Sequence, residues 1–152
     1  MPFPISSNRT LKIHAPGEEA LTTIAAAVED ALHEAKAKKL FVKPGEISFR
    51  GGIFRFVDGH NQLGAISSGK IRFTQQGDLV LIHYRISFVQ LLVIVTLMVG
   101  LMFARAPHEF LVFGWLWIFG GNYLTTLYRF PRLLLAAAEK SRGETSAPFL
   151  AE

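Results

Sequence analysis

The chain has 152 residues, 16 Lys and Arg against 12 Asp and Glu, a formal charge of +4, and no cysteine. That length suits one small folded unit plus a membrane anchor. The absence of cysteine excludes disulfides, thiolate chemistry, iron–sulfur clusters and Cys-based zinc sites, and the mild basicity comes with no nucleic-acid-binding motif.

Residues 1–10 lack a basic segment followed by a long apolar run, so no cleavable signal peptide is expected. Residues 5–14 read as a weak strand with Leu11 and Ile13 on one face, ended by Pro16 and Gly17. Residues 18–39 read as an amphipathic helix, with Leu21, Ile24, Ala25, Val28, Leu32 and Ala35 at helical spacing. Glu18 and Glu19 open it and Lys36, Lys38 and Lys39 close it, which complements the helix dipole.

Strands follow. Residues 40–42 start one, Pro44-Gly45 turns the chain, and residues 46–50 place Ile47 and Phe49 inward. Gly51-Gly52 suggests a bend, residues 53–57 resume the strand, and Asp58 to Asn61 form a turn. Residues 66–74 and 79–85 form a hairpin about Gln75-Gln76-Gly77-Asp78. The expected fold class is α+β: residues 1–85 form a small domain of order (β)-α-β-β-β, its helix packed on an antiparallel sheet.

Two apolar runs follow, residues 86–104 and 110–128, and neither holds Asp, Glu, Lys, Arg or His. Nineteen helical residues extend about 28 Å, near the ~30 Å of a bilayer core. The expectation is a two-helix transmembrane hairpin with a short external loop at 105–109, where Pro107 suits the turn. No linker precedes the first span, so the domain should sit close to the bilayer. Residues 129–152 read as a basic interfacial helix after Pro131, or an extension of the second span, and then a frayed tail from Ser141. Arg72 and Arg85 precede the first span, and Arg129, Arg132, Lys140 and Arg142 follow the second. The loop carries Arg105, offset by Glu109. This bias places both termini in the cytoplasm, with a cell membrane, the bacterial inner membrane, as the expected home.

Candidate sites are weighed against plainer roles. Residues 64–70, Gly-Ala-Ile-Ser-Ser-Gly-Lys, approach a phosphate-binding loop, but Ile71 stands where Ser or Thr must hold magnesium, and a strand pattern follows instead of a helix. His14, His33, His60, His83 and His108 show no metal spacing, and His83 reads as a sheet-face residue. Asp58, His60 and Asn61 are turn formers before they are acid–base groups. Asn8-Arg9-Thr10 spells a sequon that cytoplasmic residues would never use. No catalytic, cofactor or metal site is expected.

In the spans, Gly100, Gly114, Gly120 and Gly121 are places where backbones can approach, and Asn122 and Thr126 share a helical face. These six form the expected intramembrane helix contact; Trp115 and Trp117 are expected to face another helix. Arg85, Arg129 and Arg132 are expected to meet lipid headgroups or fix topology. The functional expectation is a non-catalytic accessory, scaffolding or assembly component of a membrane complex. Its partners would be the bilayer and either another membrane protein or a second copy, with no nucleic acid. The alternative is a lipid or small-ligand sensor at the membrane surface, using Arg55, Lys70, Arg72, Arg85, Arg129 and Arg132 together with the loops at 58–61 and 64–70.

Overall fold

A computed structural model describes residues 6–17, 19–50, 63–102 and 107–145. The strand expected at 53–57, the turn at 58–61 with His60 and Asn61, Arg55 and Arg105 lie outside the described residues.

Five strands form one antiparallel sheet: β1 (Ser6–His14), β2 (Lys38–Lys43), β3 (Glu46–Arg50), β4 (Ser68–Gln76) and β5 (Leu79–Ser87), in the order β1-β5-β4-β3-β2. Four described strands follow the first helix, where three were expected. The antiparallel α+β class is as expected. β1 is a full edge strand, paired from Ser6 with Ser87 to His14 with Leu79. Its weak hydrophobic signal reflects an edge that buries little beyond Ile13.

Alternation gives the sheet two unlike faces. Ile13, Ile47, Phe49, Ile71, Phe73, Val80, Ile82, Tyr84 and Ile86 are buried on one. The other carries Lys12, Thr10, His83, Arg85, Lys70, Arg72, Glu46 and Arg50, most of them exposed, with Leu81 buried among them. Burying one face and wetting the other is the ordinary economy of an antiparallel sheet.

Helix α1 (Ala20–Glu34) covers the apolar face with Ile24, Val28 and Leu32. It stops five residues short of the expected Lys39. Lys36 takes φ +58°, its N–H donates to His33 O at 2.8 Å, and the Ala37 N–H donates to Leu32 O at 2.9 Å. This pair of bonds terminates a helix through a left-handed residue. Lys38 and Lys39 therefore enter β2, whose register shifts between Lys38 and Phe41.

Only Phe88 separates β5 from helix α2 (Val89–Met102). Helix α3 (His108–Trp115) runs through a π-helical turn (Leu116–Gly120) into helix α4 (Gly121–Thr145). Among the described residues one helical stretch, Glu109–Ser141, is long and apolar enough to cross a membrane, with mean hydropathy 1.3 in its best window. Val89–Met102 is apolar but has 14 described residues, about 21 Å of helix. One of the two expected spans thus meets the length criterion, and the two-span hairpin does not follow from length and composition.

Of the two forms expected for the C-terminal segment, it takes the extension of the second apolar helix, and it stays helical past Ser141, where a tail was expected to begin. α4 continues through Pro131 to Thr145, and Phe130, Leu134, Ala137 and Ala138 are buried in the same core as α1 and the sheet. Ser141 is buried too, its hydroxyl donating to Ala138 O at 2.8 Å. α1 runs toward the α2 end of the sheet and α4 runs away from it, so the two helices pack antiparallel. The folded unit is therefore completed by residues beyond 129 and is not confined to 1–85.

Candidate functional site

The apolar helices present large side chains outward. Val89, Val93, Leu97 and Leu101 on α2, Phe110, Val112 and Phe113 on α3, and Leu116, Trp117 and Leu124 beyond it are all exposed, Leu101 at 81%. A contiguous apolar surface of this kind marks a membrane or partner contact. Val95 and Val99 are the buried side of α2.

The two helices are side by side and antiparallel. Trp115 Nε1 donates to Thr96 Oγ1 at 3.0 Å, and the Phe88 ring meets Tyr123 at 4.8 Å. Trp115, Phe119 and Tyr123 stack in sequence, at 4.8 and 5.8 Å, through the π-helical turn. Such turns often sit at functional positions. Trp115 thus faces another helix as expected, whereas Trp117 is 74% exposed and stacks on Phe113 of its own helix.

Of the residues expected at a helix contact, Thr126 is buried within the chain and Asn122 half-buried, while three of the glycines are open among the described residues. A Cβ at Gly100, Gly120 or Gly121 would meet nothing within 4 Å. Asn122 Nδ2 donates to Ile118 O at 2.6 Å, and Thr126 Oγ1 donates to Asn122 O at 2.8 Å. Both polar side chains return to their own backbone, the local bond that competes with cross-helix pairing. Gly114 is half-buried.

Phe130 of α4 packs on the apolar face of the sheet. Its ring meets Tyr84 edge to face at 5.3 Å and lies 6.1 Å from Phe49. Tyr84 is buried, and among the described residues its hydroxyl has no hydrogen-bond partner. Burial raises the Tyr84 pKa, with a smaller opposing pull from Arg9.

The Tyr84–Phe130 contact fixes a common height for the cations. Arg85 follows Tyr84 on the open face and stands directly opposite Lys70. Arg129 precedes Phe130, and the Arg132 guanidinium lies 3.9 Å from the Tyr128 ring centroid. Of the three expected headgroup residues, Arg85, Arg129 and Arg132, all are exposed. Glu46 bonds Lys70 at 2.8 Å and Arg72 at 2.9 Å. Those hydrogen bonds, Lys70 first, hold its pKa below the usual carboxylate value.

Residues 64–70 form no phosphate loop. Gly69 and Lys70 lie within β4, where the Phe49 ring rests over Gly69, and Lys70 is engaged by Glu46. His83 is on the sheet face, its Nδ1 2.8 Å from Thr10 Oγ1. Among the described residues no three His, Asp or Glu side chains gather as a metal site.

Sequence reasoning missed an open cleft of about 1250 Å³ between α1 and α4. Asp30 and Glu34 line its α1 wall, and Arg129, Arg132 and Lys140 its α4 wall, over a floor that includes Ala31 and Ala137. The signal was an amphipathic stripe, Phe130, Leu134, Ala137, Ala138 and Ser141, at helical spacing. No family model, curated protein or solved structure matches the chain.

Proposed function

We propose that this chain is an integral membrane protein whose α+β unit is clamped to the bilayer surface and serves as a non-catalytic accessory or assembly component. The observation that carries the reading is a single one. The helix whose outer residues form the apolar surface is the helix that inserts Phe130 and Leu134 into the core of the sheet. A shift or rotation of that helix within the membrane would be transmitted to the sheet without a flexible joint.

In this reading α2 and the α3–α4 helix form a membrane hairpin, and both termini lie on the cytoplasmic side. Packing of α4 on α1 supports that arrangement: if Glu109–Ser141 crosses, the chain must come back from the far side, and α2 is the segment that takes it there. The charge bias at Arg85, Arg129 and Arg132 supports the cytoplasmic assignment. Open space beside Gly120 and Gly121 supports a contact with a helix outside the chain.

The test is Gly121→Leu. Among the described residues, nothing lies within 4 Å of a Cβ placed at Gly121. The variant should fold and yet lose its partner or its second copy when isolated from native membranes in mild detergent. Unchanged assembly size and composition would contradict the proposal.

A further inference from the structure

The open sheet face is far more basic than the chain as a whole. Lys12, Lys43, Arg50, Lys70, Arg72 and Arg85 lie on it with one carboxylate, Glu46. Glu46 is spent on Lys70 and Arg72. Arg85 stands directly across from Lys70, and Arg50 is one step away, paired with Ser68 beside Ser87. Glu46 brings one negative charge to the two of Lys70 and Arg72, so with Arg50 and Arg85 this end of the face keeps a net positive charge that an anion would offset.

The position of the cluster identifies the anion. Arg85 is two residues before the end of β5, and Phe88 alone separates that end from α2. Strand rise puts the cluster within about 7 Å of the strand end. On the other side of the unit, Phe130 holds Arg129 near the same height, just past an apolar stretch of 18 residues, 110–127, or about 27 Å of helix. The Phe88–Tyr123 and Tyr84–Phe130 contacts deny the sheet a hinge by which to turn this face away.

We propose that Arg50, Lys70 and Arg85 form a binding site for the phosphate of anionic phospholipid headgroups, in the leaflet on the side of the folded unit. The site rests on the membrane placement proposed above. Lys12 and Lys43, on the same face but toward its other end, lie outside the reach of headgroups and take no part.

The test uses the full-length protein reconstituted in vesicles of mixed phosphatidylcholine and phosphatidylglycerol. Native mass spectrometry then reads the lipids that remain bound on release. The wild-type protein should retain phosphatidylglycerol in preference. The Arg50→Gln/Lys70→Gln/Arg85→Gln variant should lose that preference at least about tenfold, given the attraction each cation adds near an anionic surface. Lys12→Gln/Lys43→Gln should retain it. Equal loss in both variants would overturn the local site in favour of charge spread along the whole face. No loss in either would overturn it outright. Release of the wild-type protein from vesicles by alkaline carbonate would instead refute the membrane placement itself.

Discussion

Tyr84 of β5 and Phe130 of α4 meet edge to face at 5.3 Å, both buried, across 46 residues of sequence that include all the apolar helices. This contact joins the element that leads toward the apolar helices to the element that returns from them. Phe130→Ala should cost about 3–5 kcal/mol, the range for emptying a buried aromatic site. Tyr84→Phe should behave oppositely. It removes a buried hydroxyl that has no partner among the described residues, so stability should hold or rise by about 1 kcal/mol. Thermal unfolding of the purified protein in detergent measures both, and equal losses would show that the hydroxyl is satisfied after all.

Gly69 and Phe49 are a second close pair. They are partners across β3 and β4, and a Cβ on Gly69 would overlap the Phe49 ring. Gly69→Ala should destabilise the fold by about 1–3 kcal/mol through overpacking. Adding Phe49→Leu should recover part of that loss, a coupling that a double-mutant cycle detects. Additive effects would place the cost of Gly69→Ala somewhere other than the ring.

The end of α1 rests on Lys36 at φ +58°. A side chain there carries a steric cost that glycine avoids. Lys36→Gly should therefore stabilise the unit by about 0.5–1 kcal/mol, a gain small enough to need chemical denaturation in parallel with the parent. A loss of stability would mean that the Lys36 side chain makes a contact worth more than the strain.

Glu46 gives the outer sheet face a defined acid response. Its pKa is lowered in the folded protein by hydrogen bonds from Lys70 and Arg72. A depressed carboxylate contributes stability that is fully present above its unfolded value of 4.5 and disappears as pH falls through its lower folded value. Glu46→Gln should flatten the stability curve below pH 4.5 and leave its shape above that unchanged. An unaltered acid limb would assign the response to other carboxylates.

Much of the sheet was legible because its inward residues alternate: Ile71 and Phe73 in β4, and Ile82, Tyr84 and Ile86 in β5, whose first apolar residues, Leu79 to Ile82, run without alternation. The end of α1 was not legible, because Ala35 and Lys36 are good helix formers and only the left-handed turn at Lys36 stops them. The role of Phe130 was hidden for another reason. Arg129, Pro131 and Arg132 surround it, and such a sequence after an apolar run reads as a membrane edge. The stripe from Phe130 to Ser141 marked a buried face, but sequence alone left open whether lipid or protein buries it. Asn122 and Thr126 share a face, and within this chain their side chains bond to the backbone one turn earlier, a local choice that spacing alone does not reveal.

The central claim is that the chain enters the membrane after β5 and returns within the helix that completes its core. The absence of cysteine allows single reporters, at Lys12→Cys, Glu109→Cys and Lys140→Cys, in otherwise intact protein. A membrane-impermeant thiol reagent applied to one side of sealed vesicles of known orientation is the direct measurement. Lys12→Cys and Lys140→Cys should react from the cytoplasmic side, and Glu109→Cys from the opposite side alone. Reaction of all three from one side would contradict a crossing, and Lys12→Cys and Lys140→Cys on opposite sides would contradict the packing of α4 on α1.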